Sequence, residues 1–238
     1  MPDERHHRGR HPEDDRLFAP DQWPALRSAV ADLSWLLSRD YASMSALKLV
    51  GDRYSLAQRQ RIAVARCACS DQARALRMSR RVEVANIRGQ SLALDGFNVL
   101  TTIEAALAGG VLLLARDGCL RDMASVHGTY RKVEETAPAV ELIGRSLSQW
   151  QPARCLWYLD APVSNSGRLA AILRAAGQRH GLDWQVELVD NPDRVLAGAG
   201  AIVATADSVI LDRCGAWINF TSHVLAEHSF AGQVCNLS

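Results

Sequence analysis

The chain predicts an α/β fold built on a doubly wound, mostly parallel sheet and preceded by a small all-α domain of helix-turn-helix type. Three observations carry this expectation. From Ser91 onward, short apolar runs alternate with amphipathic stretches, as in a parallel sheet with crossover helices. Between Asp21 and Cys69 the apolar residues recur instead at three- and four-residue spacing. Finally, Asp95, Asp160 and Asp207 each stand where a short apolar run ends, and parallel strands deliver such side chains to one edge of their sheet.

Taken in order, residues 1–20 are polar and rich in Pro, Asp and Glu, and are expected to be a flexible tail. His6, His7 and His11 lie in it, where disorder is expected over a metal site. Trp23, Leu26, Val30, Leu33, Leu36 and Leu37 mark one amphipathic helix, and Ser43 to Val50 a second, stopped by Gly51. Ser55 and Gln58 have the spacing of a capping box for a third helix that runs to about Cys69. This helical domain spans 21–75, residues 76–90 form a basic linker, and 91–238 form the α/β domain. Strands are expected near 91–95, 111–115, 154–159, 184–189, 201–205 and 217–220, with helices near 98–108, 137–149, 167–180 and 221–228.

Of the 238 residues, 48% are hydrophobic and 22% charged, which is enough for one large domain or two unequal ones. No apolar run reaches the roughly 18 residues of a membrane span, and the start carries no apolar signal segment, so a cytoplasmic protein without a membrane partner is expected. The six cysteines are scattered, with only Cys67 and Cys69 close together, too tight for the usual zinc spacing; reduced structural thiols are expected. Net charge is +1, yet residues 51–90 hold nine arginines against Asp52, Asp71 and Glu83, a local excess of +6 that attracts polyanions. Arg59, Arg61 and Arg66 on the third helix either meet phosphates, as in a helix-turn-helix, or solvate the outside of a helical bundle.

Carboxylates converging on one crevice repel each other unless a cation joins them, and Mg²⁺ or Mn²⁺ is the hard ion that oxygen ligands suit. The competing reading is helix capping, since an aspartate between strand and helix routinely caps that helix. Three such residues at corresponding strand ends favour a shared metal site. Asp95-Gly96-Phe97-Asn98 adds a glycine that permits a tight turn and an amide, Asn98, that can point back at whatever Asp95 binds.

That tetrapeptide resembles the opening of the NYN branch of PIN-like ribonucleases, with Leu159-Asp160-Ala161 and Thr205-Ala206-Asp207 at the places of the family's later acids. The resemblance covers about residues 91–215 and implies a PIN-like doubly wound fold with one or two divalent ions. It also implies a further acid opening a short helix, a place that Asp193 suits. The whole chain is similar to an uncharacterised archaeal and bacterial family in which a short N-terminal helical domain precedes a PIN/NYN-like domain. Ala46 to Tyr54, Leu94 to Leu100, Asp117 to Asp122, His127 to Arg131 and Leu159 to Gly167 carry that likeness.

The chain departs from the NYN pattern after its second strand. There Asp117 and Asp122 can add metal ligands, Arg121 and Arg131 can clamp phosphate, Tyr130 can stack on a base and His127 can act as acid or base. An ordered loop tied by Arg–Asp pairs is the alternative. Ser164 and Ser166 precede a helix, where they either cap it or receive a phosphate at its positive end. The expectation is a Mg²⁺- or Mn²⁺-dependent ribonuclease with Asp95, Asp160, Asp207 and Asn98 as its catalytic set, and RNA favoured over DNA. Two alternatives stand beside it: a non-catalytic nucleic-acid-binding protein on the same scaffold, and a small-molecule phosphohydrolase. Against the latter, Asp95 lacks the second carboxylate two residues on that haloacid-type phosphatases carry.

Overall fold

Leu26, Val30 and Leu33 lie on one face of a helix by their spacing, and in the structure, a computed structural model describing residues 7–124 and 130–238, they are buried on α2 (Trp23–Leu37). α1 (Asp14–Leu17) precedes it, and α3 (Ser43–Arg53), α4 (Gln58–Cys67) and α5 (Asp71–Arg80) come after it. The N-terminal segment departs from a flexible tail within its described residues. Leu17 and Phe18 are buried, and the Asp14 carboxylate takes two bonds from Arg59, at 2.5 and 3.0 Å. Gly51 does not stop α3. It is buried inside the helix, where a Cβ would run into the Arg61 guanidinium. Nor does Ser55 cap α4: it has φ +50° and lies before the helix, and the Gln60 amide oxygen accepts instead from the Ala57 N–H at 3.0 Å. The expected basic linker begins as helix, since α5 is capped by the Ser70 hydroxyl, which accepts from the Ala73 N–H at 3.1 Å, and runs to Arg80 with Arg77 buried.

The α/β part comprises β1 (Ser91–Asp95), α6 (Gly96–Leu107), β2 (Val111–Leu114), β3 (Leu120–Asp122), α7 (Thr136–Trp150), β4 (Arg154–Asp160) and α8 (Ser166–His180). β5 (Trp184–Val189), α9 (Pro192–Ala197), β6 (Ile202–Ala204), α10 (Ser208–Leu211), β7 (Trp217–Ile218), α11 (Phe220–Ala226) and β8 (Gln233–Asn236) complete it. Five strands make a parallel sheet in the order β5-β4-β1-β6-β7. The chain leaves β1 toward β4 and β5, then returns to the other side of β1 for β6 and β7. The switch point between β1 and β6 is where the crossovers part and a crevice opens beyond the carboxyl ends.

Alternation along β1 separates two cores. Leu92 and Leu94 join the larger one with residues of α6, α7, α8 and α11, while Ala93 faces Val203, Leu196, Ile210 and Trp217. In the larger core Trp157 of β4 lies 4.9 Å from Trp184 of β5, ring centre to ring centre.

β2 is not a member of the main sheet. It pairs antiparallel with β3 and parallel with β8, two strands too short for their periodicity to be read from the sequence. Alternation again divides its side chains: Leu112 joins the α/β core, whereas Val111 and Leu113 pack with Leu26, Val30, Leu33 and Val64 of the helical segment. Burying each such side chain contributes about 1.5–3 kcal/mol, so the helical segment and the small sheet stabilise each other through one shared core. All six cysteines are buried free thiols. Among the described residues no helix is long and apolar enough to cross a membrane.

Candidate active site

The carboxyl ends of β1 and β6 are stitched together by side chains. The Thr205 hydroxyl donates to Asp95 Oδ2 at 2.8 Å and accepts from the Asp207 N–H at 3.0 Å. Asn98, one turn into α6, accepts from the Ala206 N–H at 2.8 Å through its amide oxygen. Asn98 therefore holds the β6 loop beside Asp95, and does not point its amide at the carboxylate. Asp95 caps α6 with a long 3.5 Å bond from the Asn98 N–H, and Asp207 caps α10, accepting from Val209 and Ile210 at 2.7 and 3.3 Å. Gly96 has no positive φ; space is what it supplies, because a Cβ there would run into the Leu159 side chain and lie 2.9 Å from the Tyr158 carbonyl. With any larger residue α6 would move off β4, and Asp95 with it.

Electrostatics join four carboxylates at this edge. Burial pushes Asp95 up to about 7, against the Thr205 hydroxyl, with the charges of Asp207 and Asp193 adding to the rise. Asp193, at the start of α9, is raised by burial and then by Asp207. Asp160, at the end of β4, is raised by burial and then by Asp193. The side chains of Asp160 and Asp193 accept no hydrogen bond from another described residue, and no Lys, Arg or His among the described residues pairs with any of the four. Oxygen-only donors without a protein cation are the set that a hard divalent ion suits. Among the described residues, however, no three His, Cys, Asp or Glu side chains stand close enough to hold one ion as they are. Drawing the four together requires rotation of Asp160, Asp193 and Asp207, all at least partly exposed, toward Asp95.

The residues expected after β2 do other work. Asp117 is buried between two guanidinium groups, 2.5 Å from Arg77 and 2.7–2.8 Å from Arg121, and its other bond comes from the Cys119 N–H. Burial alone would raise its pKa, but Arg121 and Arg77 hold it down to about 2. It therefore has no oxygen to offer a metal. Arg121 is buried too, and its Nε donates to the Ala206 carbonyl at 2.8 Å. It braces the loop carrying Asp207 from behind and cannot clamp a phosphate. Asp122 accepts from Thr102 and from the Ala124 N–H, each at 2.7 Å. Tyr130 is buried with its hydroxyl 2.6 Å from Glu104, so it cannot stack on a base. His127 lies outside the described residues. The Ser166 hydroxyl is spent on the carbonyls of Asp160 and Val163, at 2.5 and 2.6 Å, and the Ser164 carbonyl accepts from the Tyr130 N–H at 3.1 Å. Of this group Ser164 and Arg131 remain exposed, Arg131 beside Lys132 and Arg168.

Most of the arginines in 51–90 are engaged within the protein, by carboxylates or by backbone carbonyls. Arg59 pairs with Asp14 and Arg61 with Asp52, while Arg66 bonds to the carbonyls of Asp122 and Ala124. Arg77 is buried on Asp117 and Asp212, and Arg80 bonds to the Cys214 carbonyl at 3.1 Å. Residue types alone do not single out Thr205, whose place two residues before Asp207 is the available signal. Nor do they single out Lys132 and Arg168, which no motif marks.

Residues 84–223 match the family model described as "Domain of unknown function (DUF5616)", and residues 25–80 match that described as "Protein of unknown function (DUF434)". The chain is 32% identical over 187 residues to "Uncharacterized protein MJ0935" of Methanocaldococcus jannaschii, an alignment covering 79% of this chain and 89% of that protein. No solved structure matches the chain.

Proposed function

The chain belongs to the DUF5616 family, and we propose that it is a divalent-metal-dependent ribonuclease on a PIN-like doubly wound scaffold, hydrolysing phosphodiesters at the carboxylate edge. One observation carries the reading: carboxylates from the ends of β1 and β4, the β6 loop and the start of α9 share one edge, none of them paired with a Lys, Arg or His among the described residues, and neighbouring negative charge adds to the raised pKa of Asp95, Asp160 and Asp193. A purely structural role would favour pairing, as Asp14, Asp71 and Asp117 are paired elsewhere in this chain. Asp95, Asp160, Asp207 and Asp193 would hold Mg²⁺ or Mn²⁺, which supplies a Lewis acid for the phosphate and a more acidic water. Thr205 and Asn98 position Asp95 and the Asp207 loop, and Arg121 holds that loop from behind. Asp95, held partly protonated near neutrality when no ion is bound, would exchange that proton for the metal charge.

A second reading, a non-catalytic nucleic-acid-binding protein, is favoured by the capping bonds of Asp95 and Asp207. One experiment separates the two. Mn²⁺ binding by calorimetry and cleavage of a labelled single-stranded RNA are measured for the wild type, Asp95→Asn and Asp207→Asn. The ribonuclease reading expects both variants to lose ion binding and at least about a hundredfold in cleavage rate, the order that loss of one charge-stabilising group costs, with no fall in their unfolding midpoints in chelator. RNA binding without Mn²⁺-dependent cleavage in the wild type, or cleavage unchanged in both variants, would refute it.

A further inference from the structure

Arg131, Lys132 and Arg168 line one cleft of about 240 Å³ together with Leu169 and Ile172. The cleft is built by the backbone. The Tyr130 N–H donates to the Ser164 carbonyl at 3.1 Å and the Asn165 amide donates to the Tyr130 carbonyl at 2.9 Å, so residues 130–132 are clamped onto the turn that opens α8. That turn is itself fastened to β4 by the Ser166 hydroxyl on the Asp160 carbonyl. The first turn of α8, which carries Arg168, is thus tied to the strand end that carries Asp160.

Clustering of charge marks this cleft, since Arg74, Arg88, Arg179, Arg194 and Arg213 also lack a carboxylate or carbonyl partner among the described residues but do not line it. None of its three cationic side chains has a carboxylate or carbonyl partner among the described residues, although arginines at 8, 59, 61, 77, 116, 121 and 145 are all paired. Three positive charges without a partner among the described residues attract a polyanion to this concave surface, and the partly exposed Ile172 offers an apolar face for a ribose or base, while Leu169 is buried in the core. A cleft of this volume admits a group of about nucleotide size, and Ile172 can pack against a base face only in an unpaired strand, where that face is free. From this we infer that the cleft holds the sugar–phosphate backbone of a single-stranded RNA, next to the stretch of strand delivered to the carboxylates. The inference rests on the ribonuclease reading for its ligand, and it assigns strand binding to Arg131, Lys132 and Arg168 in place of the arginines of the helical segment.

The test uses the full-length protein in EDTA, so that no metal-dependent step enters. A fluorescein-labelled oligouridylate is titrated at two KCl concentrations against the wild type and the triple variant Arg131→Gln, Lys132→Gln, Arg168→Gln, with anisotropy as readout. For a single strand each lost cation removes roughly 0.7 from the log–log salt slope, so the triple variant is expected to lose about 2 in slope and at least about tenfold in affinity at low salt. Its unfolding midpoint should not move, because all three side chains are exposed. Equal affinity and slope in the two proteins overturns the inference. So does uridine monophosphate binding as tightly as the oligonucleotide, which would make this a small-molecule pocket, and so does an RNA duplex binding as tightly as the single strand. Failure of the metal reading is distinguishable: Mn²⁺-dependent cleavage would then be absent while the cation effect on binding in EDTA persists.

Discussion

Asp95→Asn should make the metal-free protein more stable at pH 8 and leave its stability nearly unchanged at pH 4. Burial and the neighbouring Asp207 and Asp193 raise the folded-state pKa of Asp95 from 3.8 to about 7. Between those values the native state binds a proton that the unfolded chain has released. Stability therefore falls as pH rises from about 4 to about 7, and is flat above that range. At ~1.36 kcal/mol per pH unit, the gap between 3.8 and about 7 makes the deprotonated wild type about 4 kcal/mol less stable than it would be with an unshifted group. Asparagine removes the charge and keeps one acceptor oxygen, enough for the 2.8 Å bond from the Thr205 hydroxyl at the expense of the long 3.5 Å bond from the Asn98 N–H. Asp160 and Asp193, also raised, add to the slope in both proteins, so the difference between the two curves reports Asp95 together with its coupling to Asp193 and Asp207. Urea unfolding in EDTA at pH 4, 6 and 8 measures it. Parallel pH profiles, or a variant less stable than the wild type at pH 8, would refute the reasoning and make Asp95 an ordinary helix cap.

The packing leads to two further expected outcomes. Arg121→Ala should lower stability by about 3–5 kcal/mol, since it leaves buried Asp117 with Arg77 alone, and should change RNA affinity little in the same preparation; lost affinity at an unchanged urea midpoint would restore Arg121 as a phosphate clamp. Leu113→Ala should cost about 2–5 kcal/mol and weaken both parts of the chain at once, with one urea transition seen by both far-ultraviolet dichroism and tryptophan fluorescence. Two separated transitions would instead mark the helical segment as an independent domain.

What could be read directly from residue order was local. Three- and four-residue spacing marks α2, apolar runs mark β1, β4, β5 and β6, and amphipathic or small-residue stretches mark most of α6 and α7. Asp95, Asp160 and Asp207 were legible because a carboxylate at the end of a parallel strand faces a predictable edge whatever the loops do. Tertiary structure decided the rest, because it depends on pairings distant along the chain. β2 has the same composition as a main-sheet strand, and its removal to a second sheet depends on β8, near the far end of the chain, and on the helices that cover Val111 and Leu113. Composition also counts charges without naming their partners. Arg59 finds Asp14, Arg77 finds Asp117, and most of the basic segment is spent on the protein itself. Only folding leaves Arg131, Lys132 and Arg168 around one cleft without a partner among the described residues, gathered from a loop and a helix that the sequence keeps apart, because pairing depends on which distant side chains reach them.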